Sequence, residues 1–143
     1  MQNIADPGEK LARRKVIDLN GLGHAGQPIP TAVRVGPLLV SGTISGKDRS
    51  TGEVPPDLAS QVKKAFENVE AVMVAAGGSM GDIAKVTIHL RDRAGREALN
   101  SIWTTWFPEP EDRPARHVVV GDLPGSLHIQ VEIIAYIETV GDE

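Results

Sequence analysis

The sequence feature that most restricts the fold is an apolar stripe of helical period in the first half of the chain. The stripe predicts a helix of about five turns, because its apolar side chains recur at steps of three and four residues. Its members are Leu58, Val62, Ala65, Phe66, Val69, Val72, Met73 and Ala76. Pro55-Pro56 and Asp57 suit the first turn, and Gly77-Gly78 stops the helix. A helix with one apolar side needs a second layer of structure to cover that side.

Strands are predicted before this helix. Residues 15–19 are a candidate first strand, and Ala32–Val35 and Leu38–Ser41 follow as two more. Gly36-Pro37 between the latter pair is typical of a hairpin turn, which predicts an antiparallel pair. The glycine- and proline-rich residues 20–30 and residues 45–56 are predicted to be loops.

The second half of the chain predicts a strand, a helix and two more strands. Ala84, Val86, Ile88 and Leu90 alternate with polar residues, as in a strand with one buried face. Asp92 can cap a second helix that ends before Pro108. The inward side chains of that helix would be Leu99, Ile102, Trp103 and Trp106. Residues 116–120 and 127–137 are the last predicted strands, joined by a turn at residues 121–126.

This order of elements predicts a single α+β domain over residues 15–138. One mixed sheet with two helices packed on one face satisfies the pattern best. Residues 1–14 would form an N-terminal extension and residues 139–143 a C-terminal tail. Because the chain has no further helices for the other face of the sheet, association with a second subunit is expected to cover it.

Composition excludes several classes of function. The absence of cysteine rules out disulfides, thiolate catalysis and cysteine-ligated metal. A net charge of −4 argues against a general nucleic-acid binder. The four histidines are scattered along the sequence, so no metal site is expected. Apolar runs are too short to span a bilayer, and no signal-peptide core is present, so a cytoplasmic protein without a membrane partner is expected.

Two charged residues on the last strands are the candidates for chemistry. Ile129, Val131, Ile133 and Ala135 share one face of the final strand and should meet the helices, which puts Glu132 on the opposite face. Glu132 is then either a surface or interface charge paired with a basic group, or a general base whose pKa is raised by partial burial. Arg116, which shares a strand face with Val118, is either a salt-bridge partner or a clamp for a substrate carboxylate. The pattern leaves both choices open.

Short motifs in one order along the chain resemble the RidA (reactive intermediate deaminase) family, also called YjgF-like or L-PSP. The resemblance runs from about residue 15 to residue 138. The motifs are Ser41-Gly42 after an apolar strand, Thr51-Gly52-Glu53, Gln61 with Asn68-Val69, Gly81-Asp82-Ile83-Ala84-Lys85, Asn100, Pro114-Ala115-Arg116, Leu123-Pro124, and Val131-Glu132-Ile133 with Ala135.

The resemblance implies a chorismate-mutase-like fold and a homotrimer with ligand clefts between adjacent subunits. It also implies hydrolysis of reactive enamines and imines, such as 2-iminopropanoate and 2-iminobutanoate, to keto acid and ammonia without a cofactor. In this family pattern Arg116 grips the substrate carboxylate and Glu132 orients the attacking water. Ser41 and Gly42 match the pocket wall, and Asn100 matches an asparagine near the cleft.

The chain departs from the family pattern at two places. Residues 27–30 stand where typical members carry a pocket tyrosine, and Val118 stands where many have a cysteine. We therefore predict that Val118 contacts the substrate. The sequence leaves two alternative functions open: a non-catalytic module that binds small carboxylates, for which Arg116 alone would serve, and a ribonuclease, against which the acidic net charge argues.

Overall fold

The computed structural model describes residues 12–24 and 26–138. In that part of the chain the strands are β1 (Arg14–Ile17), β2 (Ala32–Val35), β3 (Leu38–Ser41), β4 (Ile44–Ser45), β5 (Ile83–Leu90), β6 (Ala115–Val120) and β7 (Ile129–Tyr136). The helices are α1 (Leu58–Ala75) and α2 (Arg96–Trp106). The predicted α+β class is confirmed. The predicted extension lies largely, and the predicted tail wholly, outside the described residues.

Helix α1 begins and ends where its sequence signals predict. The carboxylate of Asp57 accepts the backbone N–H of Ser60 at 2.9 Å, which caps the first turn. At the other end Gly77 takes a left-handed φ of 88°, and the N–H of Gly78 bonds to the Met73 carbonyl at 2.8 Å. This arrangement satisfies carbonyls that would otherwise lack a partner at the end of the helix.

All the strands form one mixed sheet. Its order is β1-β2-β3-β7-β5-β6, and β4 pairs with β7 beside β3. Only β5 and β6 pair in parallel, because α2 carries the chain back between them; the other pairs are antiparallel. The predicted hairpin of β2 and β3 is confirmed.

Three predicted boundaries are wrong in detail. Residues 45–56 were predicted to be a loop, but Ile44 and Ser45 form the short strand β4 opposite Val131 and Gln130. The first and last strands are shorter than predicted, at Arg14–Ile17 and Ile129–Tyr136.

The alternation predicted for β5 also fails at its first residues. Ile83 is buried there, whereas Ala84 is exposed, although Ala84 was predicted to face inward. The cause is an irregularity in the ladder with β7, where the pairing steps from Ile83–Ala135 directly to Lys85–Ile134. An extra residue of this kind interrupts the period of two.

The two helices pack on one face of the sheet, as predicted. Trp103 of α2 packs edge to face against Phe66 of α1, with ring centres 6.2 Å apart. It also packs at a tilt against Phe107, with ring centres 4.8 Å apart. Leu99 and Trp103 are buried as predicted, while Ile102 and Trp106 are half-buried against the same core. Asp92 caps a single 3-10 turn, Arg93–Gly95, that precedes α2.

The opposite face of the sheet exposes apolar side chains at one end. Five apolar residues there each keep between 38% and 58% of their surface exposed: Val16, Leu38, Val40, Ile134 and Tyr136. We call these five residues the apolar patch. Covering of this face by another subunit stays a prediction. No helix in the described ranges is both long and apolar enough to cross a bilayer.

Candidate active site

Arg116 lies on the helix-facing side of edge strand β6. Its partner across the ladder is Val86 of β5, which in turn pairs with Ile133 of β7, and both are buried in the core. The guanidinium carbon of Arg116 lies 5.0 Å from the ring centre of Trp103, close enough for a cation–π contact. Val118 shares this face and is half-buried, as the strand pattern predicts.

The charge of Arg116 is incompletely compensated. Its Nη1 atom is buried and has no hydrogen-bond partner among the described residues. Burial, and to a lesser degree the positive charge of Arg96, lower the pKa of Arg116 from its usual value. A desolvated cation with an unused donor favours binding of an anion. The salt-bridge reading of Arg116 is therefore not supported within the described chain.

Asn100 lies on α2, the helix whose Trp103 contacts Arg116. On α2, Arg96, Asn100 and Trp103 follow each other at steps of four and three residues, so they share one side of the helix. The side chain of Asn100 is exposed. It therefore borders the region in which Arg116 contacts Trp103.

Glu132 lies on the open face of the sheet, as predicted. It pairs with Thr87 of β5, which pairs in turn with His117 of β6. Its Oε2 atom lies 2.6 Å from Nε2 of His89, and both side chains are partly exposed. His89 is thus the basic group that the first reading of Glu132 requires. Within the described ranges, no third His, Asp or Glu joins this pair.

Ser41 and Gly42 form a stiff wall at the end of β3. The Ser41 hydroxyl accepts the Ile133 N–H at 2.9 Å and donates to the Gly42 carbonyl at 2.7 Å. The Gly42 N–H in turn donates to the Thr31 carbonyl at 3.0 Å. Since the Ser41 side chain is 7% exposed and already bonded on both sides, its role is to hold the backbone of the wall.

A cavity of about 600 Å³ opens beyond this segment, where its lining begins at Thr43 and includes neither Ser41 nor Gly42. Polar side chains from three parts of the chain line it: His24 and Gln27, then Thr43, Ser45 and Lys47, and last Ser126 and Gln130. Nε2 of His24 is buried without a hydrogen-bond partner among the described residues, and it would lie 3.7 Å from a Cβ atom placed on Gly42. Glu132 does not line the cavity, but Gln130, two residues away on the same strand face, does.

Sequence reasoning missed most of this cavity. Gln130 could have been found, because strand alternation puts it beside Glu132 on the open face. His24 and Lys47 lie in segments without a period, so the sequence carries no signal that they share a cavity. Tertiary folding alone brings His24 close to Gly42 and places Lys47 in the lining of the cavity.

Gln61 holds one rim of the cavity. This fully buried glutamine of α1 donates through Nε2 to the carbonyls of Pro55 at 2.8 Å and Ser126 at 3.1 Å. Its Oε1 atom accepts the N–H of His128 at 2.7 Å. The segment that includes Pro124 and Leu127 is therefore tied to the core helix.

A single copy of the chain does not bring the predicted residues together. Ser41 and Arg116 lie in one row across β3, β7, β5 and β6, so about three strand spacings, or roughly 14 Å, separate their backbones. Arg116 and Glu132 lie on opposite faces of the sheet. The described chain therefore contains two groups, one of Arg116, Val118 and Asn100, the other of Ser41, Gly42 and the cavity.

Sequence comparison identifies relatives over most of the chain. The profile of a family described as Endoribonuclease L-PSP matches residues 25–137. The chain is 34% identical over 110 residues to 2-iminobutanoate/2-iminopropanoate deaminase of Escherichia coli K12, a match that covers 76% of this chain and 86% of the relative.

Solved structures support the same relationship. RidA from the Antarctic bacterium Psychrobacter sp. PAMC 21119 superposes with a TM-score of 0.79 at 31% identity, covering 86% of this chain and 99% of that one. E. coli TdcF with bound serine superposes with a TM-score of 0.79 at 30% identity, covering 87% of this chain and 99% of that one. Both structures share the sheet and the pair of helices described above.

Proposed function

We propose that this chain, which belongs to the endoribonuclease L-PSP family that includes the RidA deaminases, hydrolyses reactive imines of amino acids to keto acids and ammonia. The relative named 2-iminobutanoate/2-iminopropanoate deaminase supports this activity. The reaction, as proposed, needs neither metal nor organic cofactor, because the carbon of a C=N bond is already electrophilic.

The observation that carries the proposal is the state of Arg116. Its guanidinium is half-buried against Trp103, and its Nη1 atom lacks a hydrogen-bond partner within the described chain. An imino acid brings a carboxylate, and the planar fork of arginine suits a carboxylate better than a lysine would. The bound substrate would therefore satisfy a group that the protein leaves unsatisfied. The structure of TdcF with bound serine, an amino acid with its own carboxylate, is consistent with such a ligand.

In the proposed chemistry, Glu132 positions and deprotonates water. The hydrogen bond between His89 and Oε2 of Glu132 orients the carboxylate, so Oε1 would accept a proton from the attacking water. The new C–O bond converts the imine carbon to a tetrahedral carbinolamine. Return of the first proton to nitrogen completes the neutral carbinolamine. Glu132 then takes the proton of the new hydroxyl and passes it to nitrogen, so the C=O bond forms as the C–N bond breaks and ammonia leaves, giving the keto acid. Holding both reactants in place supplies much of the acceleration.

We further propose that the site is assembled between subunits of a homotrimer with a chorismate-mutase-like arrangement. One subunit would contribute Arg116, Val118 and Asn100, and its neighbour Glu132 and the Ser41–Gly42 wall. Two features support this arrangement: Arg116 and Glu132 lie on opposite faces of one sheet, and the apolar patch is left open. Burial of such a patch is the usual driving force for a permanent interface.

Replacing Glu132 by glutamine is expected to lower kcat at least about 100-fold, since removal of a general base typically costs that much or more. The assay couples the protein to a pyridoxal-phosphate-dependent dehydratase and follows keto-acid release. Glutamine keeps the size and a hydrogen bond to His89, so binding of a keto acid, measured by calorimetry, should change little.

The matched control is Glu53→Gln, a change at an exposed glutamate of the loop before α1, which should leave kcat unchanged. If wild-type protein binds keto acids but accelerates no imine, the non-catalytic binding module is the correct function. If Glu132→Gln removes binding and activity together, or neither, the role given to Glu132 is wrong.

A further inference from the structure

The cavity beyond Gly42 is larger than a substrate with a methyl or ethyl side chain can fill. Its volume is about 600 Å³, within the range of about 300–1,000 Å³ typical of ligand pockets. A water molecule occupies about 30 Å³ in the liquid, so a small imino acid would fill only a minor part of the space that a single copy of the chain encloses. The space therefore fits a substrate whose side chain extends beyond the reacting carbon.

Lys47 contributes the cation of this cavity. It is half-buried, and no Asp or Glu oxygen of the described chain lies within 4.0 Å of its ammonium group. The neighbouring carboxylate of Asp48 is bonded instead to Ser50 and Thr51 and lies near Lys64. Within the described residues, Lys47 therefore has no carboxylate to neutralise it.

The backbone around Lys47 is fixed. Its carbonyl accepts a hydrogen bond from Nδ2 of the buried Asn68 at 2.9 Å, and its N–H donates to the Ser45 hydroxyl at 3.3 Å. Asn68 also donates to the Ser45 carbonyl at 2.8 Å, so both ends of this short segment are attached to α1. A cation on a fixed segment loses less freedom when it binds a ligand.

The rest of the cavity wall is compatible with an anion. None of the described residues that line it is Asp or Glu. His24, whose buried Nε2 has no partner among the described residues, and the amides of Gln27 and Gln130 supply further polar groups. The electrostatic character of the cavity is thus positive, and its apolar members can contact the carbon chain of a ligand.

We propose that Lys47 binds a second carboxylate, at the end of the substrate side chain, and that the preferred substrates are imines of acidic amino acids. This inference rests on the proposed function, in which Arg116 of the neighbouring subunit holds the carboxylate next to the imine carbon. With two carboxylates held at two separate cations, the imine carbon lies between them, beside the Ser41–Gly42 wall.

The test compares two imines generated in solution by flavin-dependent amino-acid oxidases, one from alanine and one from glutamate. Wild-type protein should hydrolyse 2-iminoglutarate with a kcat/KM at least about tenfold above that for 2-iminopropanoate, since a hydrogen bond to a charged group is worth about 10- to 100-fold. Lys47→Gln should remove that preference and change kcat/KM for 2-iminopropanoate less than about twofold. Lys63→Gln, at an exposed lysine of α1, should alter neither value.

Each other outcome counts against a different claim. If wild-type protein has equal kcat/KM for the two imines, the proposed role of Lys47 is wrong. It is also wrong if Lys47→Gln lowers kcat/KM equally for both imines. Either result leaves the deaminase proposal intact. If the protein accelerates the hydrolysis of neither imine over the reaction without protein, the deaminase proposal fails. Ligand binding then decides the role of Lys47. In that case 2-oxoglutarate must bind more tightly than pyruvate in calorimetry, and Lys47→Gln must abolish the difference; otherwise the inference is wrong.

Discussion

Replacing Arg116 by methionine is expected to lower kcat/KM for imine hydrolysis about 100- to 10,000-fold, the value of two hydrogen bonds between charged groups. Methionine retains the length of the side chain and a favourable contact with the Trp103 ring, but it has no donor for the substrate carboxylate. The same assay of keto-acid release measures the effect.

Stability separates this role from a structural one. Because Nη1 of Arg116 is buried without a partner in the described chain, its removal should leave the free energy of unfolding unchanged or raise it. Arg116→Lys keeps the charge without the planar fork and should lose activity to an intermediate degree. Arg93→Met, at an exposed arginine before α2, is the control. Activity of Arg116→Met within threefold of wild type would exclude the proposed role.

Replacing Gln61 by leucine is expected to lower the free energy of unfolding by about 2–5 kcal/mol. Leucine fills a similar volume but leaves the carbonyls of Pro55 and Ser126 and the N–H of His128 without their partner. The Ser126 carbonyl belongs to an exposed residue and can bond to water, which keeps the expected loss below that of three fully buried groups.

Urea unfolding followed by tryptophan fluorescence measures this loss, since Trp103 is in the core. Gln27→Leu, at an exposed glutamine, should change the free energy of unfolding by less than about 0.5 kcal/mol. A loss below about 1 kcal/mol in Gln61→Leu would mean that the rim of the cavity is held by other contacts.

Periodicity explains which parts of the fold could be predicted. Helix α1 and strand β7 show their periods over many residues, so their buried faces follow from the sequence. Strand β4 has two residues, too few to show any period, and it is defined only by its pairing with β7. The irregularity near Ile83 in β5 likewise depends on pairing with β7, so alternation alone gave the wrong face for Ala84.

The candidate site was predictable in its residue types but not in its assembly. The face of Glu132 follows from the alternation in β7, whereas residues 118–120 of β6 are all valine and give no alternation to follow. The face of Arg116 is set by its register with Val86. Only that register reveals that Arg116 and Glu132 lie on opposite sides of the sheet, and hence that one chain cannot hold a substrate between them.

The most direct test of the shared site is to mix two inactive variants. Arg116→Met and Glu132→Gln are co-expressed in equal amounts, and keto-acid release by the mixed oligomers is measured. We expect activity to return to about a quarter of the wild-type value, because about a quarter of randomly formed interfaces would combine an intact Arg116 with an intact Glu132. Mixed oligomers no more active than either variant alone would contradict a site built from two subunits.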